Sequence, residues 1–372
     1  MTQRERQLLE WIRENPMISQ QELADKAGIT RSSVAVHISN LMKKGCITGK
    51  GYIVRTAPYV AVVGGVNMDI GAVSAGELVA RDSNPGHVTT SLGGVGRNIA
   101  HNLCLLGQQT AMVTVMGDDD FGRRVQENAR DIGLDLSASA VLPDCRTGTY
   151  LYIAGPDGDM ALAVNDMDIY QRMTPDFLRQ RLDFINGADL VVLETNLPED
   201  SIRWLCDNCR APILADPVST IKAEKLRPVL GKLAALKPNR LEAELLSGMS
   251  IRTPEDAAQA GKDILTESGA DVYELLDTGL GTVYISLGAE GIYAADRQGS
   301  TAWVPCARCH VANATGGGDA VAAALAARMV LGDSLADTAR WAVGAGALAC
   351  EAETTINPAM CWDNIETILN RR

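Results

Sequence analysis

The chain has 372 residues, of which 46% are hydrophobic and 22% are charged. This balance excludes a disordered protein, and the length favours two folding units over one compact domain. Aromatic residues make up only 4% of the chain, which excludes a surface that stacks single-stranded nucleic acid bases on many rings.

The formal charge of −12 is unevenly distributed along the chain. Residues 1–57 contain nine Lys and Arg against five Asp and Glu, a net of +4, which leaves −16 for residues 58–372. The nine cysteines are an odd number and no apolar secretory segment follows the N-terminus, so disulfide bonds are not expected. Apolar stretches stay well below the roughly 18–20 residues that span a bilayer. We therefore expect a cytoplasmic protein without a membrane partner.

Three helices and a short hairpin are predicted in residues 1–57. Ser19 and Glu22 form the capping signature of the second helix, and Gly28 ends that helix. A third helix follows Thr30, with an apolar face made of Val34, Ile38, Leu41 and Met42. Residues 46–54 then form two short strands around a Gly-Lys-Gly turn.

This order of elements resembles the winged helix-turn-helix modules of bacterial transcription regulators. The resemblance implies that the third helix enters the major groove of DNA while lysines meet the phosphates. The residues that it places at DNA are Arg31, Ser32, Ser33, His37, Lys43, Lys44 and Lys50. Such modules also serve as protein-interaction or dimerisation elements, and that alternative stays open. Pro58 interrupts the last strand, so we predict one domain over 1–57 and a second over 58–372.

The second domain shows an alternation of strands and helices. Apolar, β-branched runs that suit buried parallel strands occur at 59–65, 110–115, 190–193, 213–215 and 282–287, with helical segments between several of them. This rhythm predicts an α/β fold with a mostly parallel central sheet flanked by helices. Two segments at about 70–92 and 146–166 interrupt the rhythm, and we expect them to form a small β-sheet that acts as a lid.

Two glycine-rich loops carry the strongest chemical signal. In the first, residues 93–100, Gly93 and Gly94 allow close approach to a ligand, and the Asn98 amide can bind hydroxyl groups. In the second, three glycines precede Asp319 at the start of a helical run, which predicts an anion-binding nest beside a carboxylate base. Taken alone, the first loop suits a tight turn equally well, and Asp319 could be a helix cap beside a glycine hinge.

Together the two loops resemble the ribokinase-like, or PfkB, family of carbohydrate and nucleoside kinases, over essentially all of residues 58–372. The first family signature is met at each defined position from Gly93 to Gly117, and the second departs only at Ala314. Within the family the chain is most similar to pseudouridine kinases and their helix-turn-helix-fused relatives.

The resemblance implies a role for each matching residue. It makes Asp319 the base that takes the proton of the acceptor hydroxyl, and it makes Gly316, Gly317 and Gly318 the anion hole. It assigns the acceptor sugar to Asn67, Asp69, Gly93, Gly94, Asn98 and Asn165. It assigns ATP to Asn239, Ser286, Gly288 and Gly291, and Mg²⁺, through water, to Asn239 and Glu242. Asn239 and Glu242 could instead share a solvent-exposed helical face.

Some features depart from the family or carry no role. Many members have Asp where Asn313 stands, and that Asp helps to bind a monovalent cation, so potassium dependence stays open. The segment Glu194-Thr195-Asn196 receives no role. The pairs Cys206/Cys209 and Cys306/Cys309 lie 96 residues apart, too far for a compact zinc module, and we interpret them as buried or incidental thiols.

The sequence therefore predicts an ATP- and Mg²⁺-dependent kinase that phosphorylates the 5′-hydroxyl of a nucleoside, with pseudouridine as the first candidate. Inosine, cytidine, adenosine and free ribose are the alternative acceptors. A different class of function also stays open, in which the kinase fold senses a nucleoside and controls the DNA-binding module. A homodimer is expected, because lid sheets of this family and helix-turn-helix modules both commonly pair.

Overall fold

The structure is a computed structural model that describes residues 1–49, 53–54, 58–267 and 281–371. Lys50, the predicted wing contact, and most of the predicted joint before Pro58 lie outside the described residues. Within the described part of the chain, no helix is both long and apolar enough to cross a membrane.

The N-terminal unit consists of α1 (Gln3–Glu14), α2 (Gln20–Ala27), α3 (Arg31–Lys43) and the wing strands β1 (Ile47–Gly49) and β2 (Ile53–Val54). The predicted capping box is confirmed, since Ser19 and Glu22 bond to each other's backbone N–H. Gly28 ends α2 at a φ of 63°, a left-handed conformation that glycine adopts without strain. The three helices enclose their own apolar core, but Met42 lies outside it and is 49% exposed, contrary to the prediction.

The second unit, from Pro58 onward, contains strands and helices in alternation. Its strands are β3 (Tyr59–Val63), β4 (Asn67–Ser74), β5 (Gly86–Gly93), β6 (Gln109–Val113), β7 (Val115–Gly117), β8 (Ala140–Leu142), β9 (Gly148–Ala154), β10 (Met160–Asp166), β11 (Leu190–Glu194), β12 (Ile213–Asp216), β13 (Ala235–Leu236), β14 (Thr282–Ser286), β15 (Ile292–Asp296) and β16 (Thr301–Val304). Its helices are α4 (Val95–Leu105), α5 (Asp120–Asp131), α6 (Pro175–Arg179), α7 (Leu182–Ile185), α8 (Glu199–Asn208), α9 (Thr220–Ala223), α10 (Arg240–Ser247), α11 (Pro254–Glu267), α12 (Gly317–Leu331), α13 (Leu335–Cys350) and α14 (Trp362–Leu369). Shorter 3₁₀ turns cover Asp168–Arg172, Glu224–Lys232 and Gly288–Glu290.

The described strands form a central sheet of eight, in the order β16-β15-β14-β13-β12-β11-β3-β6. Pairing is parallel from β6 to β14 and antiparallel at the β15 and β16 edge. All five residues of β3 are buried, because their side chains alternate between apolar cores on the two faces of the sheet. The predicted α/β class is confirmed, while β13 and the antiparallel edge were not foreseen.

Helices cover both faces of the sheet. Helices α4, α5, α12, α13 and α14 supply the core on one face, and α6, α7, α8, α10 and α11 supply the core on the other. The alanine-rich α12 is buried over most of its length, because its small side chains allow α13 and α4 to pack closely on it. This packing holds the N-terminus of α12 in a fixed position relative to the strand ends.

The predicted lid is a separate sheet in the order β10-β9-β4-β5. It begins at Asn67, slightly before the predicted segment. Its register aligns Asn165 with Tyr150, Tyr150 with Asp69, and Asp69 with Ser91. Because side chains directly opposite each other share a face, one face of the lid is polar and aromatic, and it lies on the side of Asp69.

Candidate active site

The start of α12 forms the glycine nest that was predicted. Gly316 is the residue before the helix and has a φ of 86°, and a Cβ there would lie 2.2 Å from the Thr355 carbonyl oxygen. Only glycine fits that position. The backbone then enters the helix at Gly317 and Gly318, and N–H groups in a first turn have no acceptor within the helix; the Gly317 N–H makes only a long bond of 3.4 Å to the Ala314 carbonyl before it. The nest therefore offers donors and the positive end of a helix dipole to an anion.

Asp319 stands in the first turn of α12 and lines the same cleft as the glycines. One of its carboxylate oxygens, Oδ2, accepts a hydrogen bond of 2.9 Å from Nδ2 of Asn98. Loss of hydration raises the pKa of Asp319 to about 7, with the charge of Asp216 adding to the effect and Asn98 and Lys237 opposing it. A carboxylate with such a pKa can exchange a proton near neutral pH.

A buried ion pair lies beside the nest and was not predicted. Lys237 Nζ is 2.9 Å from Asp216 Oδ2, and both side chains are about 5% exposed. The ammonium also lies 3.4 Å from the Gly318 carbonyl oxygen. Burial lowers the pKa of Lys237, but the charges of Asp216, Glu242 and Asp319 raise it by more, so the group stays charged. Asp216 is the last residue of β12 and Lys237 directly follows the neighbouring strand β13, and that position was the signal available in the sequence.

Asn239 and Glu242 form a capping box at the start of α10. Asn239 Oδ1 accepts from the Glu242 N–H at 3.0 Å, and Glu242 Oε2 accepts from the Asn239 N–H at 2.8 Å. The solvent-exposed alternative is wrong for Glu242, which is 2% exposed and lines the cleft, whereas Asn239 is exposed. Burial raises its pKa. Among the described residues, no group of three or more His, Cys, Asp or Glu side chains is arranged to hold a metal ion.

The predicted ATP loop follows β14 and closes the cleft on one side. Ser286 donates its backbone N–H to the Pro238 carbonyl at 2.9 Å, which joins the loop to the Asn239 segment. Gly291 has a φ of 103°, and a Cβ there would lie 2.0 Å from the Val304 carbonyl oxygen. The resulting cleft has a volume of about 760 Å³ and contains Asn239, Glu242, Ser286, Gly288, Gly291, Gly317, Gly318 and Asp319 in its lining. This volume suits a nucleotide.

The predicted acceptor residues meet at the junction of lid and sheet. Asn67 Nδ2 donates to Asp69 Oδ1, and a Cβ at Gly93 would lie 2.2 Å from Asp69 Oδ2. Gly94 precedes α4 at a φ of 97°, pressed against the Gly65 carbonyl. Asn98, in the first turn of α4, extends this group to Asp319. The acceptor residues and the base therefore form one connected set.

Asn165 is the predicted acceptor residue that lies apart from this set. It is exposed on β10, two strands from Asp69 and so roughly 10 Å away, with Tyr150 between them. Tyr150 and Tyr152 lie on the same face, with ring centroids 6.1 Å apart, and the Tyr152 ring covers Gly71. These tyrosines share the Asp69 face of the lid and had no assigned role.

Two further buried side chains were missed. Glu194, at the end of β11, accepts the Gly65 N–H and bonds to Asn196, and burial raises its pKa to about 6. Arg97 is 6% exposed and donates to the Asn98 side chain at 3.3 Å. The Glu194 segment had been assigned no role, and Arg97 lies within the first glycine loop, directly before Asn98.

The predicted DNA contacts lie on or after α3. Arg31, Ser32 and Lys43 are exposed, and Ser32 and Ser33 both bond through their hydroxyls to Thr30. His37 is half-buried. Lys44 pairs with the buried Glu5 at 3.0 Å, so a phosphate contact from Lys44 would require that pair to open.

The cysteine pairs differ from each other in their surroundings. Cys206 and Cys209 pack at the apolar core, and burial raises the pKa of both thiols. Cys306 and Cys309 line the nucleotide cleft together with Cys350. All nine cysteines are free thiols.

Comparison with known proteins assigns both units. Residues 57–360 match the pfkB family of carbohydrate kinases, and residues 1–48 match the winged helix-turn-helix DNA-binding family. The uncharacterized sugar kinase YeiI of Escherichia coli is 35% identical over 98% of each chain. The pseudouridine kinase of the same organism is 34% identical over 85% of this chain and 97% of its own length.

Solved structures agree with this assignment. A carbohydrate kinase from Agrobacterium tumefaciens superposes with a TM-score of 0.70 at 28% identity, covering 84% of this chain and 97% of that one. The Arabidopsis thaliana ribokinase complexed with ribose and ATP shares the fold, with a TM-score of 0.71 at 22% identity over 85% of this chain and 100% of that one. The chain belongs to the pfkB family of carbohydrate kinases and is an ATP-dependent phosphotransferase that acts on a hydroxyl group.

Proposed function

We propose that this kinase transfers the γ-phosphoryl group of ATP to the 5′-hydroxyl of a nucleoside, and that pseudouridine is its substrate. The observation that carries the proposal is the hydrogen bond of 2.9 Å between Asn98 and Asp319. It joins the acceptor residues of the lid junction to a carboxylate at the glycine nest. An acceptor hydroxyl held there lies between a proton acceptor and the site of the transferred phosphoryl group.

The chemistry follows from the surroundings of Asp319. Its ionised carboxylate accepts the proton of the attacking hydroxyl, and a pKa of about 7 leaves much of it ionised at neutral pH. The N–H groups of Gly316, Gly317 and Gly318 donate to the phosphoryl oxygens as their charge develops. Lys237, which touches Gly318, adds a fixed positive charge at the same place. Closure of the lid excludes water, which would otherwise compete as the acceptor.

We propose Mg²⁺ as the divalent ion that accompanies ATP. Glu242 and Asn239 line the nucleotide cleft and offer carboxylate and amide oxygens, the ligands that Mg²⁺ prefers. Each already makes a capping bond, which suits an ion held mainly by phosphates and water. When bound, the ion would neutralise phosphate charge.

The choice of a nucleoside over a free sugar rests on the tyrosines. Tyr150 and Tyr152 stand on the face of the lid that carries Asp69, where a base attached to the bound ribose would extend. Aromatic rings stack with bases, and each such contact contributes about 1–3 kcal/mol. Two relatives act on nucleosides by name: the pseudouridine kinase, and the guanosine-inosine kinase of Exiguobacterium acetylicum at 28% identity over 70% of this chain and 84% of that one.

A panel of acceptors tests this proposal. Pseudouridine, uridine, inosine, cytidine, adenosine and ribose are each incubated with ATP and Mg²⁺, and ADP release is measured. We expect the highest kcat/KM for pseudouridine. Tyr152→Ala should lower kcat/KM for nucleosides about 10–100-fold and leave ribose unaffected, while Tyr152→Phe serves as the matched control. Uridine or ribose turnover equal to that of pseudouridine would contradict the substrate choice.

A second proposal concerns the N-terminal unit, which we infer to bind DNA through α3 and to regulate expression. It is supported by the match of residues 1–48 to a DNA-binding family and by the exposed Arg31 and Lys43. Gel-shift assays on DNA that flanks its own gene, with and without nucleoside, test it. Arg31→Ala should weaken binding, with the exposed Arg13→Ala on α1 as a control. Absence of binding under every ligand condition would contradict it.

We also propose that two copies pair through the outer face of the lid, the face opposite Asp69. Its exposed apolar side chains are Val88, Leu151, Leu162 and Val164, which are 69%, 36%, 58% and 58% exposed. The register aligns Leu162 and Val164 with Ile153 and Leu151 on the neighbouring strand, so the apolar surface is continuous. A second copy would remove it from water.

A further inference from the structure

Arg97, in the first turn of α4, is a buried cation with uncharged partners. Nη1 donates to the Leu92 carbonyl at 3.0 Å and to Asn98 Oδ1 at 3.3 Å, and Nη2 donates to Asn128 Oδ1 at 2.8 Å. Nε is buried and has no partner. Among the described residues no carboxylate forms an ion pair with Arg97, so burying this charge is costly for the fold. A role in the site would explain its retention.

The first consequence of its position concerns the Asn98 amide. A guanidinium only donates, so the amide atom that faces Arg97 must be the acceptor, Oδ1. The amide Nδ2 then points to Asp319, where it donates at 2.9 Å. A flipped amide would set its oxygen against the carboxylate and its NH₂ group against the guanidinium. Arg97 therefore selects the orientation that serves Asp319.

The second consequence concerns Asp69. Burial raises the pKa of Asp69, while the hydrogen bond from Asn67 and then the positive charge of Arg97 lower it. Two other titratable groups lie near this carboxylate. Tyr150 lies opposite Asp69 on β9, and Tyr170 is a buried phenol that donates to the Val66 carbonyl and whose pKa is raised by burial and then by the charges of Glu194 and Asp69. Arg97 is thus the cation whose charge favours the ionised form of Asp69.

We propose that Arg97 is a positioning residue of the acceptor site, because its hydrogen bond to Oδ1 orients the Asn98 amide toward Asp319. This proposal rests on the proposed function in one respect, namely that Asp69 and Asn98 bind the hydroxyl groups of the acceptor. Its link to the Leu92 carbonyl adds a tie between α4 and lid strand β5, so the same side chain holds the lid junction. A loss of Arg97 should therefore affect the acceptor and not ATP.

The experiment compares Arg97→Gln and Arg97→Lys with the wild type. Arg124→Gln is the matched control, because Arg124 is exposed on α5 and also bonds to the lid, at Thr90 Oγ1. KM and kcat are measured for acceptor and ATP from pH 6 to 9, and acceptor Kd is measured calorimetrically without ATP. For Arg97→Gln we expect acceptor KM and Kd to rise about 10–100-fold, the effect of losing a charge-assisted hydrogen bond.

The pH profile separates positioning from a structural role. Without the cation, the pKa of Asp69 should rise further above its usual value, so as pH falls the acceptor KM of Arg97→Gln should begin to rise at a higher pH than that of the wild type. Arg97→Lys keeps the positive charge but loses the planar guanidinium with its several N–H donors. It should therefore raise the acceptor KM at least fivefold and retain the wild-type pH dependence. The KM for ATP should stay within about twofold in both, and Arg124→Gln should match the wild type.

An Arg97→Gln enzyme with wild-type acceptor KM and pH profile would overturn the proposal, as would equal losses for acceptor and ATP. If Arg97→Gln does not fold, Arg97→Lys decides, and an unchanged acceptor KM overturns the proposal. The acceptor in every assay is whichever compound the wild type phosphorylates best. Failure of wild-type turnover with every compound of the panel would instead refute the proposed function, and the calorimetric Kd of the compound that the wild type binds most tightly would still test Arg97.

Discussion

Asp319→Asn is the substitution that tests the mechanism most directly. Asparagine is nearly isosteric and can still accept the Asn98 hydrogen bond through Oδ1, so the fold and acceptor binding should persist. It cannot take a proton from the attacking hydroxyl. A general base contributes about 10²–10⁴-fold, so kcat should fall by that factor, or about 3–5 kcal/mol in activation free energy. The acceptor Kd should change less than about threefold.

The pH dependence of turnover gives a second test of Asp319 as the base. Asp319 acts when ionised and its pKa is raised to about 7, so wild-type kcat/KM should fall about tenfold per unit below pH 7. Asp319→Asn should lose this inflection. Steady-state ADP release between pH 5.5 and 9 measures it, with the exposed Asp131→Asn on α5 as a control. Near-normal turnover of Asp319→Asn, or an unchanged inflection, would refute the assignment of the base.

The stability of the native state should depend on pH in the direction opposite to that of activity. The Asp319 carboxyl ionises near pH 3.9 in the unfolded chain and near pH 7 in the native state. The native state therefore loses stability as pH rises from 3.9 to 7. The full shift corresponds to about 4 kcal/mol, and partial contact with water reduces this, so we expect Asp319→Asn to gain about 1–2 kcal/mol at pH 8. Thermal unfolding should show a larger gain at pH 8 than at pH 5, and a lower Tm at pH 8 would contradict the burial argument.

Three further outcomes are expected. Lys237→Met should lower kcat and raise the KM for ATP more than the KM for the acceptor. It should also destabilise the fold by about 3–5 kcal/mol, because Asp216 is left buried and unpaired. Adding Asp216→Asn should restore the Tm but not kcat, and a recovered kcat would exclude a role of Lys237 in binding phosphate. The Asn313 side chain accepts from the Thr315 N–H and donates to the Glu353 carbonyl, an oxygen that could otherwise face a cation. Replacing potassium with choline should therefore leave wild-type turnover within about twofold, whereas Asn313→Asp should introduce a dependence, detectable also as a potassium-induced rise in Tm. Leu162→Glu with Val164→Glu should yield a monomer by light scattering while the acceptor-facing side of the lid is intact, and a wild-type monomer would refute pairing through this face.

The parts of the fold that the sequence predicts are those with local signals. The strand β3 is a run of five apolar residues, and the capping residues of α2 lie three positions apart, so both can be recognised without tertiary information. The strand β13 is two residues long, Ala235–Leu236, and exists because β12 and β14 pair on both sides of it. No local pattern distinguishes such a strand from a loop.

The residues of the candidate site also divide into those with a local sequence signal and those without one. The glycines at the start of α4 and α12 can be read directly, because close approach and positive φ require glycine there. The Lys237–Asp216 pair depends on two neighbouring strands ending at the same level, and the Arg97 contacts depend on where α5 places Asn128. Asn239 and Glu242 show a third case. Their spacing is a capping box, and Glu242 is buried rather than solvent-facing because other elements, α9 and α11 among them, pack against α10.

Local geometry allows an acidic domain to hold an anionic ligand. Residues 58–372 carry a net charge of −16, yet the cleft must hold a nucleotide. Helices α4 and α12 begin at the same point, since Asn98 and Asp319 each lie in a first turn and bond to each other. Two positive helix ends and Lys237 act there at short range, where water is largely excluded. Surface carboxylates farther away than a Debye length are screened by salt, so they do not oppose binding. The glycines that let both helices start so close together are thus what allows an acidic protein to bind phosphate.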